Sequence, residues 1–432
     1  MQKRVAVIGA GASGLAAIKA LRSEDAFSTI KAFERKKSVG GVWVYNSNAS
    51  PWRSMSSRDF NLEDKPVDCE YISPMYETLY TNLPSKLMAF NGFPFPEGTD
   101  MFPHRSVVLK YLQDYAFDLL ELISFESEVI DTWKEGSEWV LRVKYSEREI
   151  EERFDFLCVA SGHYEVPAIP VTEGLTDFAN RFPGRVMHAK YYRRPEEFKN
   201  QKILVIGNGA SGLDITIQLA DTALLPILRS IRSTSQLPWL PNPQILEVPP
   251  ISHFCADENA IYLKDGQKLT EIDKVIFATG YYYSLPFMNR FCHGENALIS
   301  DGERIRGLYE QIFWIQDPSL AFVGLPWQIV PFPIAEGEGC VMARVWSGRL
   351  WLPTKEKMLI AESERIAETG EDRKFHCFGY PKDCEYGQFL YDWCMQAGKG
   401  GQVPSEWNGE RRELRACSKE LKIEQLAREN KG

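Results

Sequence analysis

Two stretches of this chain, Val7–Gly14 (VIGAGASG) and Val205–Gly212 (VIGNGASG), are nearly the same eight letters. Each spaces three glycines as Gly-x-Gly-x-x-Gly: Gly9, Gly11 and Gly14 in the first, Gly207, Gly209 and Gly212 in the second. The chemistry open to such a turn is the grip of a pyrophosphate. The first glycine permits a tight turn, and the second lets backbone approach the phosphates. The third lets a helix pack closely on its strand, and the helix N-terminus faces the negative charge. The segments downstream of the two turns differ. After the first, TIKAFE ends at Glu34, about 20 residues beyond Gly14, where a carboxylate suits a ribose diol and repels a 2′-phosphate. After the second, LLPILRSIRSTSQLP has no acid at the corresponding place and carries Arg229 and Arg232 with Ser230, Ser233 and Thr234. Guanidinium and hydroxyl groups hold a phosphate dianion, although one of these arginines could be a solvated surface charge. The two turns are therefore expected to bind unlike dinucleotides, FAD on the first and NADPH on the second. That pairing moves hydride from nicotinamide to flavin.

The elements that must position these groups are legible around them. KRVAVIGAGASGLAAIKAL and NQKILVIGNGASGLDITIQLA both read as apolar strand, turn, helix. VLRVKY (140–145) alternates apolar and polar residues, as a strand of a small antiparallel insertion does. Two buried strands, FDFLCVASGHYEVPAIP ending at Gly162 and DKVIFATGYYYSLPF ending at Gly280, bracket the second turn. The expected organisation is a FAD-binding domain of residues 1–164 and 283–432, interrupted by an NADPH-binding domain of residues 165–282. The fold class is α/β: two Rossmann-like dinucleotide-binding domains of three layers, the smaller inserted into the larger. Beyond residue 350 the chain becomes charged and helical (MLIAESERIAE, ERRELRACSKELKIEQLAREN).

Composition narrows the partners. A chain of 432 residues with 44% hydrophobic and 25% charged residues is long for one core and fits two domains. Its net charge of −9 argues against nucleic acid or an anionic membrane, both of which demand a cationic face. The longest nearly apolar run, Val5–Ile18, contains the glycine turn and is too short to span a bilayer. No membrane anchor is expected; the chain reads as cytoplasmic, with a homodimer as the default assembly. Nine cysteines include no C-x-x-C pair, which removes a zinc ribbon and the dithiol of a disulfide reductase. They read as reduced, mostly buried thiols, and the six histidines never fall at metal-ligand spacing. Asn48-Ala49-Ser50 is a glycosylation sequon expected to be unused.

One further segment carries a family likeness. FPGRVMHAKYYR, from Phe182 to Arg193, resembles the F-x-G-x-x-x-H-x-x-x-Y/F-K/R signature of flavin-containing monooxygenases and their class B relatives, matching at Phe182, Gly184, His188, Tyr192 and Arg193. VGGVW (39–43), YETLYTNLPSKLMAFNGFPFP (76–96), FATGY (277–281) and ARVWSGRL (343–350) agree. The resemblance covers roughly residues 4 to 352, runs nearest the fungal and yeast branch, and is weak in the last 80 residues or so. It implies FAD held by Gly9, Gly11, Ser13, Gly14, Glu34, Val42, Trp43 and Asn82. For NADPH it implies contacts from Tyr76, Thr81, Asn82, Ser211, Gly212, Asp214 and Arg232, beside Gly207, Gly209 and Ser230. The implied reaction is reduction of FAD by NADPH and addition of O2 as a C4a-hydroperoxyflavin. Transfer of the distal oxygen to an amine nitrogen or sulfide sulfur then gives an N-oxide, N-hydroxyl product or S-oxide.

Several readings stay open at this level. The resemblance puts Asn82 between flavin and nicotinamide as the catalytic carboxamide, whereas TNLP is equally a turn whose Asn caps its own backbone. His188 and Tyr192 are expected to orient the inter-domain linker rather than to move protons. Relatives often carry Gln where this chain has Glu338. Facing the flavin, Glu338 would disfavour the anionic reduced form or have to be protonated; the alternative is a solvent-facing side chain. The rival functions are Baeyer–Villiger oxygenation of a ketone, whose signature ends in Trp where Tyr192 stands, and a non-catalytic NADP(H)-sensing module. The substrate is not written in the sequence.

Overall fold

A computed structural model describes residues 3–47, 71–146, 148–233 and 240–429. The sequon at Asn48, Cys69 and Thr234 lie outside the described residues.

The first strand, Lys3–Ile8, is buried on both faces from Val5 onward, as a central parallel strand must be. It pairs in parallel with Phe27–Phe33 on one side and Phe156–Val159 on the other. The full sheet has seven strands, in the order 308–309, 313–314, 320–322, 156–159, 3–8, 27–33, 123–124. Strand alternation sorts its side chains between two cores. Val5, Val7, Ala32, Cys158 and Ala321 join a core with the helices Ala12–Ser23 and Pro331–Ser347. Ala6, Ile8, Phe33, Leu157, Val159 and Phe322 face the other way, against Trp139, Leu141, Val143 and Phe154. The latter residues belong to an antiparallel sheet of 127–135, 138–145 and 148–154, so the expected strand at 140–145 is present and one outer layer is β.

The two helices cross through small residues. A methyl group placed on Gly339 would come within 3.1 Å of the Ala17 Cα, so the backbones approach as closely as they do only because that side chain is missing.

A second sheet has five parallel strands in the order 245–248, 224–230, 202–206, 274–277, 186–188. All of them lie between residues 186 and 277, while the first sheet draws its strands from both sides of that interval. The strands expected to end at Gly162 and Gly280 stop earlier, at Val159 and Phe277. The residues after each strand leave the ladder and run along a cleft instead.

The C-terminal region belongs to the first core. Helix Lys382–Met395 packs on Pro331–Ser347, with Leu390 against Gly337. The buried Glu336 carboxylate accepts from the Asn91 and Ser405 backbone N–H groups, the Ser405 hydroxyl and the Gln402 amide. The charged run near 410–430 forms two helices, Gly409–Ala416 and Ser418–Glu429, divided at Cys417. Among the described residues no helix is long and apolar enough to cross a membrane.

Candidate active site

Both glycine turns open onto one cleft of about 2320 Å³, more than twice the roughly 300–1,000 Å³ of a site for one drug-sized ligand. The turns are built alike. Gly9 has φ +101°, and a Cβ there would stand 2.6 Å from the Ala160 carbonyl; at Gly207 the same atom would stand 2.3 Å from the Ala278 carbonyl. Those carbonyls come directly after the two buried strands that neighbour each turn. The third glycines, Gly14 and Gly212, do not line the cleft. Added methyls there would strike the carbonyls of Gly9 and Gly207 at 1.9 and 2.5 Å, so these residues pack helix onto turn.

Gly209 is different. Its φ of −81° suits any residue, and a Cβ on it would meet no protein atom within 4 Å. The protein gives no reason for glycine there; a ligand whose phosphates need that space does. Gly11 and Gly209 also start their helices without a side-chain cap, leaving first-turn N–H groups for an anion. The residues present therefore fit a dinucleotide at each turn.

On the first side the Glu34 carboxylate is buried and accepts from the Ala10 N–H at 2.8 Å and the Lys36 N–H at 2.9 Å. A carboxylate has about four lone-pair sites, so acceptor capacity is left toward the cleft it lines. Val42 and Trp43 sit in a short turn at Gly41–Trp43, with the Trp43 ring edge-on to Phe332 at 6.2 Å. Ser13 lines the wall beside Gly324, which tolerates no side chain there.

On the second side, the choice between the arginines is made by packing. Arg229 lies within the strand Leu224–Ser230, is buried, and pairs with Glu247. Arg232 lies just past the strand end, is exposed, and lines the cleft with Ser211, Ser230 and Ser233. Ser230 spends its hydroxyl proton on the Pro249 carbonyl at 2.9 Å. Asp214 is not on the cleft wall; its carboxylate accepts from the Tyr76 hydroxyl and from Gln218 at 3.2 Å, and burial pushes its pKa up. Tyr76 lines the cleft as a buried ring, edge-on to Tyr192 at 5.4 Å.

Thr81 and Asn82 both line the cleft. The Thr81 hydroxyl donates to the Leu83 carbonyl at 2.9 Å. Asn82 is exposed on the wall, and no hydrogen bond is made by its side chain among the described residues. The next helix, Ser85–Met88, has no side-chain cap. The self-capping reading of TNLP does not hold in this geometry.

The signature segment joins pieces of chain. Arg193 is buried and donates to four carbonyls, those of Ser73, Met75, Lys190 and Tyr192, at 2.8 to 3.1 Å. Tyr192 donates to Gln218 at 3.1 Å. The His188 Nδ1 accepts from the Lys190 N–H at 3.1 Å. Burial, with the Lys190 charge, lowers the His188 pKa to about 3, so the ring is neutral near pH 7.

Two features of the site have no marker in the sequence motifs. Glu165 receives Arg35 at 2.7 Å and Lys190 at 2.8 Å, linking the first lobe, the crossing segment and the signature. Burial would raise the Glu165 pKa, but Lys190 and Arg35 outweigh it and hold it low. No local pattern marks three charges drawn from residues 35, 165 and 190. The other is His163, inside the ASGHYEVP stretch, which lines the cleft with its ring toward the Gly324 backbone. Burial lowers its pKa to about 4. Its signal was a lone polar ring directly after a buried strand.

Glu338 reaches neither the cleft wall nor solvent. It is fully buried on helix Pro331–Ser347, off the cleft, and accepts from the Gly324 N–H at 2.7 Å. The Tyr386 hydroxyl lies 2.8 Å from the Glu310 carbonyl and 3.2 Å from the Glu338 carboxyl and shares its proton between these two acceptors. Burial raises the Glu338 pKa from 4.5 to about 8. A carboxyl whose pKa is raised on folding stabilises the native state below its unfolded pKa, and that stability is lost as pH rises through the folded value. Thermal unfolding between pH 6 and 9 is expected to show the wild type losing stability, on the order of a few kcal/mol. Glu338→Gln, which keeps the acceptor for Gly324, should flatten that slope.

Among the described residues no group of three His, Cys, Asp or Glu is placed to hold a metal ion. Two dinucleotide turns opening onto one cleft define an oxidoreductase of the two-nucleotide flavoprotein class. The profile of the flavin-binding monooxygenase-like family matches residues 2–240 and 247–399. The chain belongs to this family: it is a flavin-dependent monooxygenase with FAD as its implied cofactor, and NADPH is the family's usual partner. It is 33% identical over 414 residues to the Arabidopsis thaliana flavin-containing monooxygenase FMO GS-OX-like 2, covering 91% of this chain and 85% of that one. It is 32% identical over 371 residues to the thiol-specific monooxygenase of Saccharomyces cerevisiae, covering 82% and 79%. The solved structure of S-allyl-L-cysteine S-oxygenase from Allium sativum superposes with a TM-score of 0.81 at 29% identity, covering 99% of this chain and 94% of that one.

Proposed function

We propose that this protein is an NADPH-dependent monooxygenase that oxygenates a small soft nucleophile with O2, sulfide sulfur in preference to amine nitrogen. The observation that carries the reading is the single cleft, onto which Gly9, Glu34, Asn82, Gly209 and Arg232 all open. The names of two relatives, an S-oxygenase and a thiol-specific monooxygenase, favour sulfur. Bound flavin would supply the activation of O2 that no amino-acid side chain provides. The chain's own residues bind, orient and exclude water. The first turn takes the FAD pyrophosphate, and Glu34 takes its ribose diol. The second turn takes the nicotinamide nucleotide, on an inserted unit of about residues 165–282, with Arg232 on the 2′-phosphate. Asn82 offers its free carboxamide where the two ligands meet. Trp43, Phe332 and Trp327 make an apolar wall, which protects a reactive oxygen species from water.

The test is a turnover balance on purified yellow protein. Equal consumption of NADPH and O2, with one S-oxide formed per NADPH from a thioether and no ester from a ketone, is expected. An ester product would move the assignment to Baeyer–Villiger chemistry. Tight nucleotide binding with negligible NADPH oxidation would make the protein a sensor instead.

A further inference from the structure

The family match stops at residue 399, yet Arg415, Ser418, Lys419 and Glu420 line the cleft. Three residues fix this segment there. Arg411 donates to the Leu87 carbonyl at 3.0 Å. Arg415 pairs with the buried Asp383 at 2.7 Å and lies 5.7 Å from the centre of the Tyr380 ring. The buried Lys422 holds its ammonium 4.8 Å from the Phe102 ring centre. The two C-terminal helices thus reach from the wall that carries Asn82 to the wall that carries Tyr380.

Arg415 lies in the last turn of the first of these helices, and Lys419 and Lys422 follow three residues apart on the second. Two of the three are engaged, Arg415 by Asp383 and Lys422 by Phe102. Lys419 is half-buried on the cleft wall and makes no ion pair or hydrogen bond among the described residues. The neighbouring Glu420 is exposed and does not pair with it. Lys419 thus presents to the cleft an ammonium with no counter-charge among the described residues, and an entering anion would find in it a charge-assisted partner.

We propose that Lys419 anchors an anionic group of the substrate, so that the preferred substrates are small sulfides carrying a carboxylate. This rests on the proposed sulfide oxygenation. The other anion available to the cleft is a nucleotide phosphate, and the test separates the two. Steady-state kinetics would compare a carboxylate-bearing thioether with its neutral amide, in wild type and in Lys419→Ala, Lys419→Arg and Lys419→Glu. Wild type is expected to favour the acid. Lys419→Ala should lower the acid-to-amide ratio of kcat/KM about tenfold or more, through KM for the acid, with Lys419→Arg restoring most of it and Lys419→Glu inverting it. An unchanged ratio overturns the anchor while turnover of the amide leaves the functional reading standing. A rise confined to the KM for NADPH assigns Lys419 to the nucleotide and overturns it too. Wild-type protein that oxygenates neither sulfide overturns the functional reading and the anchor together.

Discussion

Asn82→Ala is expected to leave NADPH oxidation partly alive while S-oxide formed per NADPH falls at least tenfold and H2O2 takes its place. The backbone around Asn82 is held without its side chain: the Thr81 N–H donates to the Pro103 carbonyl at 3.0 Å and the Ser85 N–H to the Met101 carbonyl at 2.7 Å. An exposed side chain with no partner of its own contributes little to folding, so stability should change by no more than about 0.5 kcal/mol. On the proposed reading the lost function is a carboxamide donor on the cleft wall, and removing one such donor costs about 10²–10³ in rate where it meets developing charge. Asn82→Asp keeps the size, removes the N–H donors and adds a charge; it should uncouple at least as strongly. Parallel measurement of NADPH, O2, H2O2 and S-oxide checks both. A fully coupled alanine variant would remove Asn82 from the site.

Arg232→Ala should raise the KM for NADPH by about tenfold to a hundredfold, the worth of a charge-assisted bond to a phosphate dianion, with NADH kinetics shifted far less. Arg229→Ala serves as the contrast. Arg229 is buried and paired with Glu247, so its loss empties buried space and removes that pair, and should appear as a lower unfolding midpoint rather than as a change of nucleotide preference. Unfolding curves and KM values for both nucleotides distinguish the two. Arg232→Ala with unaltered NADPH kinetics would leave the 2′-phosphate to other groups, Ser230 and Ser233 among the described residues.

Much of the local architecture is written in neighbouring residues. A strand, a Gly-x-Gly-x-x-Gly turn and a helix are short-range features, because tight-turn sterics and β-branched apolar runs act within a dozen positions. The alternating strand near 140–145, the helical C-terminal region and the acid closing the second strand were legible for the same reason. The choices that the sequence could not decide were made by distant atoms. Arg229 and Arg232 stand three positions apart with the same chemistry, and only the packing of strand 224–230 against Glu247 buries one and frees the other. Glu338 read as a question about charge beside a flavin until the fold placed it off the cleft, under Gly324 and Tyr386. The Arg35–Glu165–Lys190 link and the arrival of Lys419 at a wall begun by residues 9 to 43 join parts of the chain far apart in sequence. Such pairings have no local period to read. They come from the burial of cores that draw on distant parts of the chain, which decides which side chains are brought to the cleft and which are left behind it.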